Sequence, residues 1–224
     1  MSNLQAILFD LDNTLLDRTQ TFQAFTDLFA STYFAHLSST TELCELIIER
    51  DQDGYKDKHQ LFNELLEELP WRERPTASEL MDFYMAEYVN NAVLMEQAKE
   101  TLALVREAGY LTGLITNGRN EVQYGKIDRL GIRDAFDVIL VSEEAGIKKP
   151  DPAIFKMAVE RLGVDTQACL FIGDHPINDI EAAAKLGMKT IWIQVNQPWQ
   201  EELATTPTHS IKHLGELRDL FSTL

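Results

Sequence analysis

Apolar residues gather along this chain in five short runs, near 5–9, 111–115, 137–141, 168–173 and 190–194. Runs of this length, closed by polar or glycine-containing segments, predict strands buried on both faces. Between the later runs the apolar spacing changes to that of amphipathic helices, near 97–108, 120–130, 152–162 and 178–186. Strands and helices alternating in this way predict parallel βαβ units, so the fold class is α/β. The first run completes a five-stranded parallel sheet sandwiched by helices.

One long stretch breaks the alternation. From Thr19 to Tyr88 there is no convincing strand. Phe22, Phe25, Phe29 and Tyr33 recur at helical spacing, and Leu43, Leu46 and Ile47 mark a second helix. Further helices are expected from Asp57 to Leu69 and from Ser78 to Asn90, with Pro70 and Pro75 breaking the chain between them. The reading is a compact four-helix insertion over 18–90, dividing a core made of 1–17 and 91–224. The aromatic face is expected to form the insertion's own core, and Arg50, Lys56, Lys58 and His59 to lie on a solvated helical face.

The polar residues that close the strands carry the chemistry, because open α/β sheets bind ligands at the C-terminal edge of their strands. Ala6-Ile7-Leu8-Phe9 ends in Asp10-Leu11-Asp12, two carboxylates two residues apart. The run ending at Ile115 opens into Thr116-Asn117-Gly118, where a side-chain donor and backbone N–H groups can hold phosphoryl oxygens. In Lys148-Lys149-Pro150 the proline biases Lys149 towards an extended backbone and so presents its ammonium at a fixed place. The run Leu170-Phe171-Ile172 ends in Gly173-Asp174, and Asp179 follows five residues later. Carboxylates at strand ends suit Mg2+, which takes a few carboxylate oxygens together with water and substrate oxygens. Each segment alone also reads as an ordinary turn, so the weight lies in their combination.

Taken in this order, the four segments resemble the haloacid dehalogenase-like hydrolase superfamily, in particular its helical-cap phosphatases, over nearly the whole chain. The resemblance implies a Rossmann-like core with a mobile helical cap that closes over substrate. It implies that Asp10 attacks phosphorus to form an aspartyl-phosphate, and that Asp12 protonates the departing alkoxide and later activates water. Thr116, the amides of Asn117 and Gly118, and Lys149 would hold and neutralise the transferring oxygens, with Lys149 preferred over Lys148 because it directly precedes the proline. Mg2+ would rest on Asp10, Asp174 and the Asp12 backbone carbonyl, with Asp179 acting directly or through water. The implied activity is hydrolysis of a small phosphorylated metabolite, of the nucleoside monophosphate or sugar phosphate class. A phosphomutase on sugar phosphates, a 2-haloacid dehalogenase and a non-catalytic phosphometabolite-binding protein are the alternatives.

Composition narrows the partners. A formal charge of −16 over 224 residues, with no long basic stripe, argues against a nucleic-acid or anionic-membrane surface. An anionic substrate would therefore need local positive charge. Cys44 and Cys169 give no disulfide framework and are expected to be small buried hydrophobes. His175 is a poor candidate for a magnesium ligand, since the ion prefers oxygen. Trp192 is expected in the core and Trp199 in loop packing. Met1-Ser2-Asn3-Leu4 runs into the first strand without a basic region or long apolar segment, so the expectation is a cytoplasmic protein, monomeric or homodimeric, without a membrane span.

Overall fold

A computed structural model describes residues 4–221. Met1, Ser2 and Asn3, read above as the lead into the first strand, lie outside the described residues. The chain divides into two compact units, one formed by the residues up to Asp17 together with those from Leu94 onward, the other by Arg18–Val93. The return point falls three residues later than the boundary expected at 91. Local hydrogen bonds explain the shift. Asn91 and Ala92 N–H still bond back to Glu87 and Val89, and Val93 N–H donates to Thr21 Oγ1 at 3.0 Å.

The first unit is a parallel α/β sheet. Its strands are β1 (Ala6–Phe9), β2 (Leu111–Thr116), β3 (Val138–Val141), β4 (Cys169–Gly173), β5 (Lys189–Ile193) and β6 (His209–Ile211), in the order β3-β2-β1-β4-β5-β6. Five strands were expected and six are present among the described residues. His209-Ser210-Ile211 buries only Ile211, so this short edge strand leaves no apolar run to read. β1 is central and buried along its whole length, which explains why Ala6-Ile7-Leu8-Phe9 carries no polar position. On one face Leu8 and Phe171 pack with Ile154, Phe155 and Ala158. Phe9 meets Phe136 edge-on at 6.4 Å.

Helices of the second unit come first in the chain: α1 (Arg18–Tyr33), α2 (Thr41–Asp51), α3 (Lys58–Glu68) and α4 (Ala77–Asn90). The sheet's helices follow as α5 (Ala98–Glu107), α6 (Asn120–Leu130), the short α7 (Ser142–Ala145) and α8 (Pro152–Leu162). Their starts follow local chemistry. Asp57 caps α3, Thr76 and Glu79 form a reciprocal capping box on α4, and Asp151 with Pro152 opens α8. The helix expected over 178–186 instead begins as a π-helical turn, Pro176–Glu181, followed by Ala182–Ala184. Among the described residues no helix is long and apolar enough to cross a membrane.

The helical unit is held by rings. Phe25 is 1% exposed and lies within 5.4–6.2 Å of Phe22, Phe29, Phe83, Tyr84 and Tyr88, joining α1 to α4. Of the cations assigned above to a solvated face, Arg50 pairs with Glu68 and Lys56 with Glu64. Lys58 departs from that reading: with Arg18 it closes on the fully buried Asp51, at 2.7 and 2.5 Å. Burial draws the Lys58 ammonium below its ordinary value, against the pull of Asp51.

Truncating Phe25 to alanine removes a ring that both helices share. Phe25→Ala should cost about 3–5 kcal/mol of unfolding free energy, measured by urea denaturation followed through tryptophan fluorescence. A loss below about 1 kcal/mol would place the ring outside the core.

Candidate active site

Register brings the strand ends together. Phe9 pairs with Leu114 on one side and Ile172 on the other. Asp10 N–H then continues the ladder to Ile172 O at 2.9 Å. Asp10, Thr116 and Asp174 therefore emerge from three adjacent strands within a residue of the same level, with neighbouring strands about 4.8 Å apart. Beyond β1 the chain turns sharply. Asn13 adopts the left-handed conformation (φ 60°), which asparagine tolerates, and Asn13 N–H bonds to Leu16 O at 2.8 Å.

Asp10, Asp174 and Asp179 are all buried, and one oxygen from each lies within 4.8 Å of the others. Lys149 Nζ sits among them, 2.5 Å from Asp10 and 2.7 Å from Asp179. Lys148 is exposed, so the sheet edge receives the lysine that directly precedes the proline. The Lys149 ammonium also lies over the Phe171 ring at 5.5 Å. Burial pulls this amine down, but Asp10 and Asp179 more than offset it and hold it above its ordinary value. Burial pushes the Asp10 carboxyl up to about 7; Lys149 pulls against this, while Asp179 and Asp12 add to it. Three carboxylates facing one ammonium, with only oxygen donors between them, fit a hard divalent cation such as Mg2+.

Neighbouring residues fix these groups in place. The Asn117 side chain donates to Lys149 O at 2.9 Å and accepts from Lys149 N–H at 2.8 Å, clamping the lysine's backbone. Asp179 accepts from His175 N–H at 3.0 Å with its second oxygen. His175 Nδ1 in turn accepts from Ile177 and Asn178 N–H at 3.1 and 3.2 Å, so this imidazole caps the π-helical turn. Trp192 Nε1 donates to Asp174 O at 2.7 Å, and the Trp192 ring packs on Trp199 at 5.2 Å. Neither Cys44 nor Cys169 is disulfide-bonded, and burial pushes the Cys169 thiol up to about 11.

Thr116 and Asp12 share a different set of partners. Asp12 keeps 26% of its side chain exposed, while Lys126 Nζ meets its two oxygens at 2.6 and 2.8 Å. Gln123 Nε2 reaches Asp12 Oδ2 at 2.9 Å, Thr116 Oγ1 at 2.5 Å and Asn117 O at 3.1 Å. Gly118 leaves room for this amide: a Cβ there would stand 2.9 Å from the Gln123 side chain. The Gly118 N–H, expected to face phosphoryl oxygens, already donates to Ser142 Oγ at 2.9 Å. That bond must be exchanged before the amide could serve an anion. Gln123 and Lys126 were not anticipated from the sequence; their signal is the i, i+3 spacing of two polar residues on the buried face of α6.

Comparison with known proteins gives a consistent picture. The sequence profile of the haloacid dehalogenase-like hydrolase family matches residues 7–193. A glyceraldehyde 3-phosphate phosphatase of Pyrococcus abyssi is 33% identical, over 85% of this chain and 82% of its own length. A ribulose-1,5-bisphosphate 5-phosphatase of Halopiger xanaduensis is 32% identical, over 97% of this chain and 99% of its own. Among solved structures, the magnesium-bound HAD-hydrolase YfnB of Bacillus subtilis shares the fold with a TM-score of 0.80, at 23% identity and covering 97% of this chain and 98% of its own.

Gly173 is required by close approach. A Cβ at that position would lie 2.5 Å from Asp179 Oδ2, and this carboxylate is fixed by Lys149 on one oxygen and His175 N–H on the other. Gly173→Ala should therefore cost about 1–3 kcal/mol through overpacking. Chemical denaturation reads the loss, and wild-type stability would show that the acid cluster yields freely.

Proposed function

Because this chain belongs to the haloacid dehalogenase-like hydrolase family, we propose that it hydrolyses phosphate monoesters of small metabolites through an aspartyl-phosphate on Asp10. The observation that carries the reading is the division of labour between two acids on one loop. Asp10 is buried among Lys149, Asp174 and Asp179, whereas Asp12 is partly exposed and held by Lys126 and Gln123. Such environments suit a nucleophile and a proton-transfer group respectively.

In this reading an Asp10 oxygen attacks phosphorus and displaces the ester oxygen, which takes a proton from Asp12. Asp12 then removes a proton from the water that attacks the aspartyl-phosphate, releasing inorganic phosphate and restoring Asp10. Splitting the hydrolysis in two avoids direct attack by neutral water on the ester. The Thr116 hydroxyl and the backbone amides of Asn117 and Gly118 hold the transferring oxygens, the last after exchange from Ser142. Lys149 balances the charge that develops on them. Asp10, Asp174, Asp179 and the Asp12 carbonyl are the residues that would hold Mg2+. When bound, the ion supplies charge that offsets repulsion between an anionic nucleophile and a dianionic ester. The helical unit serves as the cap of the enzyme.

A haloacid dehalogenase is disfavoured, since a halide leaves without a proton and would give Asp12, Asp174 and Asp179 no task. Within the phosphate esters, the triose phosphate and pentose bisphosphate named for the two relatives support sugar phosphates.

Purified protein with Mg2+ should release phosphate from members of a sugar phosphate and nucleotide panel, and EDTA should return release to background. Asp10→Asn should lower the rate at least ~10³-fold without loss of folding. Asp12→Asn should cost ~10²–10⁴-fold on an alkyl phosphate and far less on an aryl phosphate with a good leaving group. Release that persists in EDTA or in Asp10→Asn would overturn the reading, and so would a sugar phosphate isomer in place of free phosphate.

A further inference from the structure

We infer that Lys126 and Gln123 are positioning residues that fix the Asp12 carboxylate for proton transfer and tie it to Thr116, a role that rests on the phosphatase reading above. Lys126 is almost wholly buried, at 2% exposure, and a buried ammonium is costly unless a partner meets it well. The 26% exposed Asp12 is a partner that meets it closely. The lysine contacts both carboxylate oxygens and so fixes the rotation of the carboxylate plane as well as its place. Each carboxylate oxygen has two lone pairs, so the clamp leaves acceptor capacity, and the exposed part of the side chain remains open to solvent.

Gln123 adds the second tie. One side-chain NH2 lies against oxygens from two different segments, Asp12 after β1 and, at the end of β2, Thr116 with the following Asn117. Two donors shared among three acceptors leave little freedom to any of them. Both residues project from one face of α6, and the start of that helix is itself docked. Asn120 N–H donates to Glu143, and Asn120 Oδ1 accepts from Glu144 N–H at 3.1 Å. The helix therefore acts as a rigid back wall for the acid. Placement of this kind matters because a shift of about 1 Å in a reacting group can cost roughly 10²-fold in rate.

The test compares kcat and KM for an aryl phosphate, p-nitrophenyl phosphate, with those for an alkyl phosphate, glycerol phosphate, in the Mg2+-loaded protein. Lys126→Met should lower kcat on the alkyl ester roughly 10²-fold and on the aryl ester less than about 3-fold, with KM for both nearly unchanged. In an Asp12→Asn background the same substitution should alter neither rate by more than about 3-fold, since residues acting through one another are not additive. Equal losses on both esters, or a full further loss in the Asp12→Asn background, would overturn the positioning role while the phosphatase reading stands. A wild-type protein inactive on both esters and across the sugar phosphate and nucleotide panel overturns both; one active only on a panel member takes that member as the alkyl ester of the comparison. Should Lys126→Met fail to fold, Lys126→Gln, which keeps a donor, carries the same comparison; if neither folds, the lysine is structural and the inference falls.

Discussion

A single ammonium holds the acidic edge of this sheet together. Lys149 lies within 2.7 Å of both Asp10 and Asp179, with Asp174 close by and all four side chains buried. Carboxylates brought together out of water lose hydration and repel one another, and both effects push the Asp10 carboxyl upward. The lysine relieves this push only in part. A fully compensated cluster would bind nothing further, whereas one left with excess negative charge retains affinity for a divalent cation. The same excess gives a strongly acidic protein a route to an anion, because a divalent cation held there would supply the positive charge that the side chains of the edge lack.

The ammonium can do this only because several elements agree on its position. Asn117, at the end of β2, spends its side chain on both backbone groups of Lys149. His175 N–H takes one oxygen of Asp179 and leaves the other for the lysine. Gly173 supplies the space into which that carboxylate folds. Trp192, on β5, secures the Asp174 backbone. The Asn117, Lys149 and Trp192 contacts join segments distant in sequence, while those of His175 and Gly173 shape the turn that carries Asp179, so the edge is braced across the strands as well as within one loop. Preorganisation of this type avoids reorganisation when charge develops.

Much of this was legible in the chain. Strands buried on both faces must be apolar, so β1 to β5 announce themselves, and the polar residues that end them lie at one edge because parallel strands share a direction. Asp10, Thr116, Asp174 and Asp179 follow from that logic and Lys149 from the family resemblance, and the structure brings them to the same edge. The sixth strand escaped because an edge strand of three residues needs only one apolar side chain. The π-helical turn escaped because its cap is an imidazole nitrogen, while sequence rules look for serine, threonine, aspartate or asparagine. The amide of Asn117 was read as part of an anion cradle; the second task of the residue, a side chain that clamps the backbone of another loop, was not. Such pairings depend on separations of about thirty residues and leave no local periodicity.

Lys126 illustrates the deeper reason why sites are harder to read than folds. On a helix a lysine ordinarily marks the solvent face, and the i, i+3 spacing of Gln123 and Lys126 beside Val122, Ile127 and Leu130 is the one local hint against that reading. The packed sheet turns that face inward, where Asp12, 114 positions earlier, meets the buried ammonium with both carboxylate oxygens. The contact joins loop and helix across that separation, so neither residue is assigned from its own segment. Folds follow from hydrophobic spacing that each segment carries by itself, whereas the acid and its lysine become readable only as a pair.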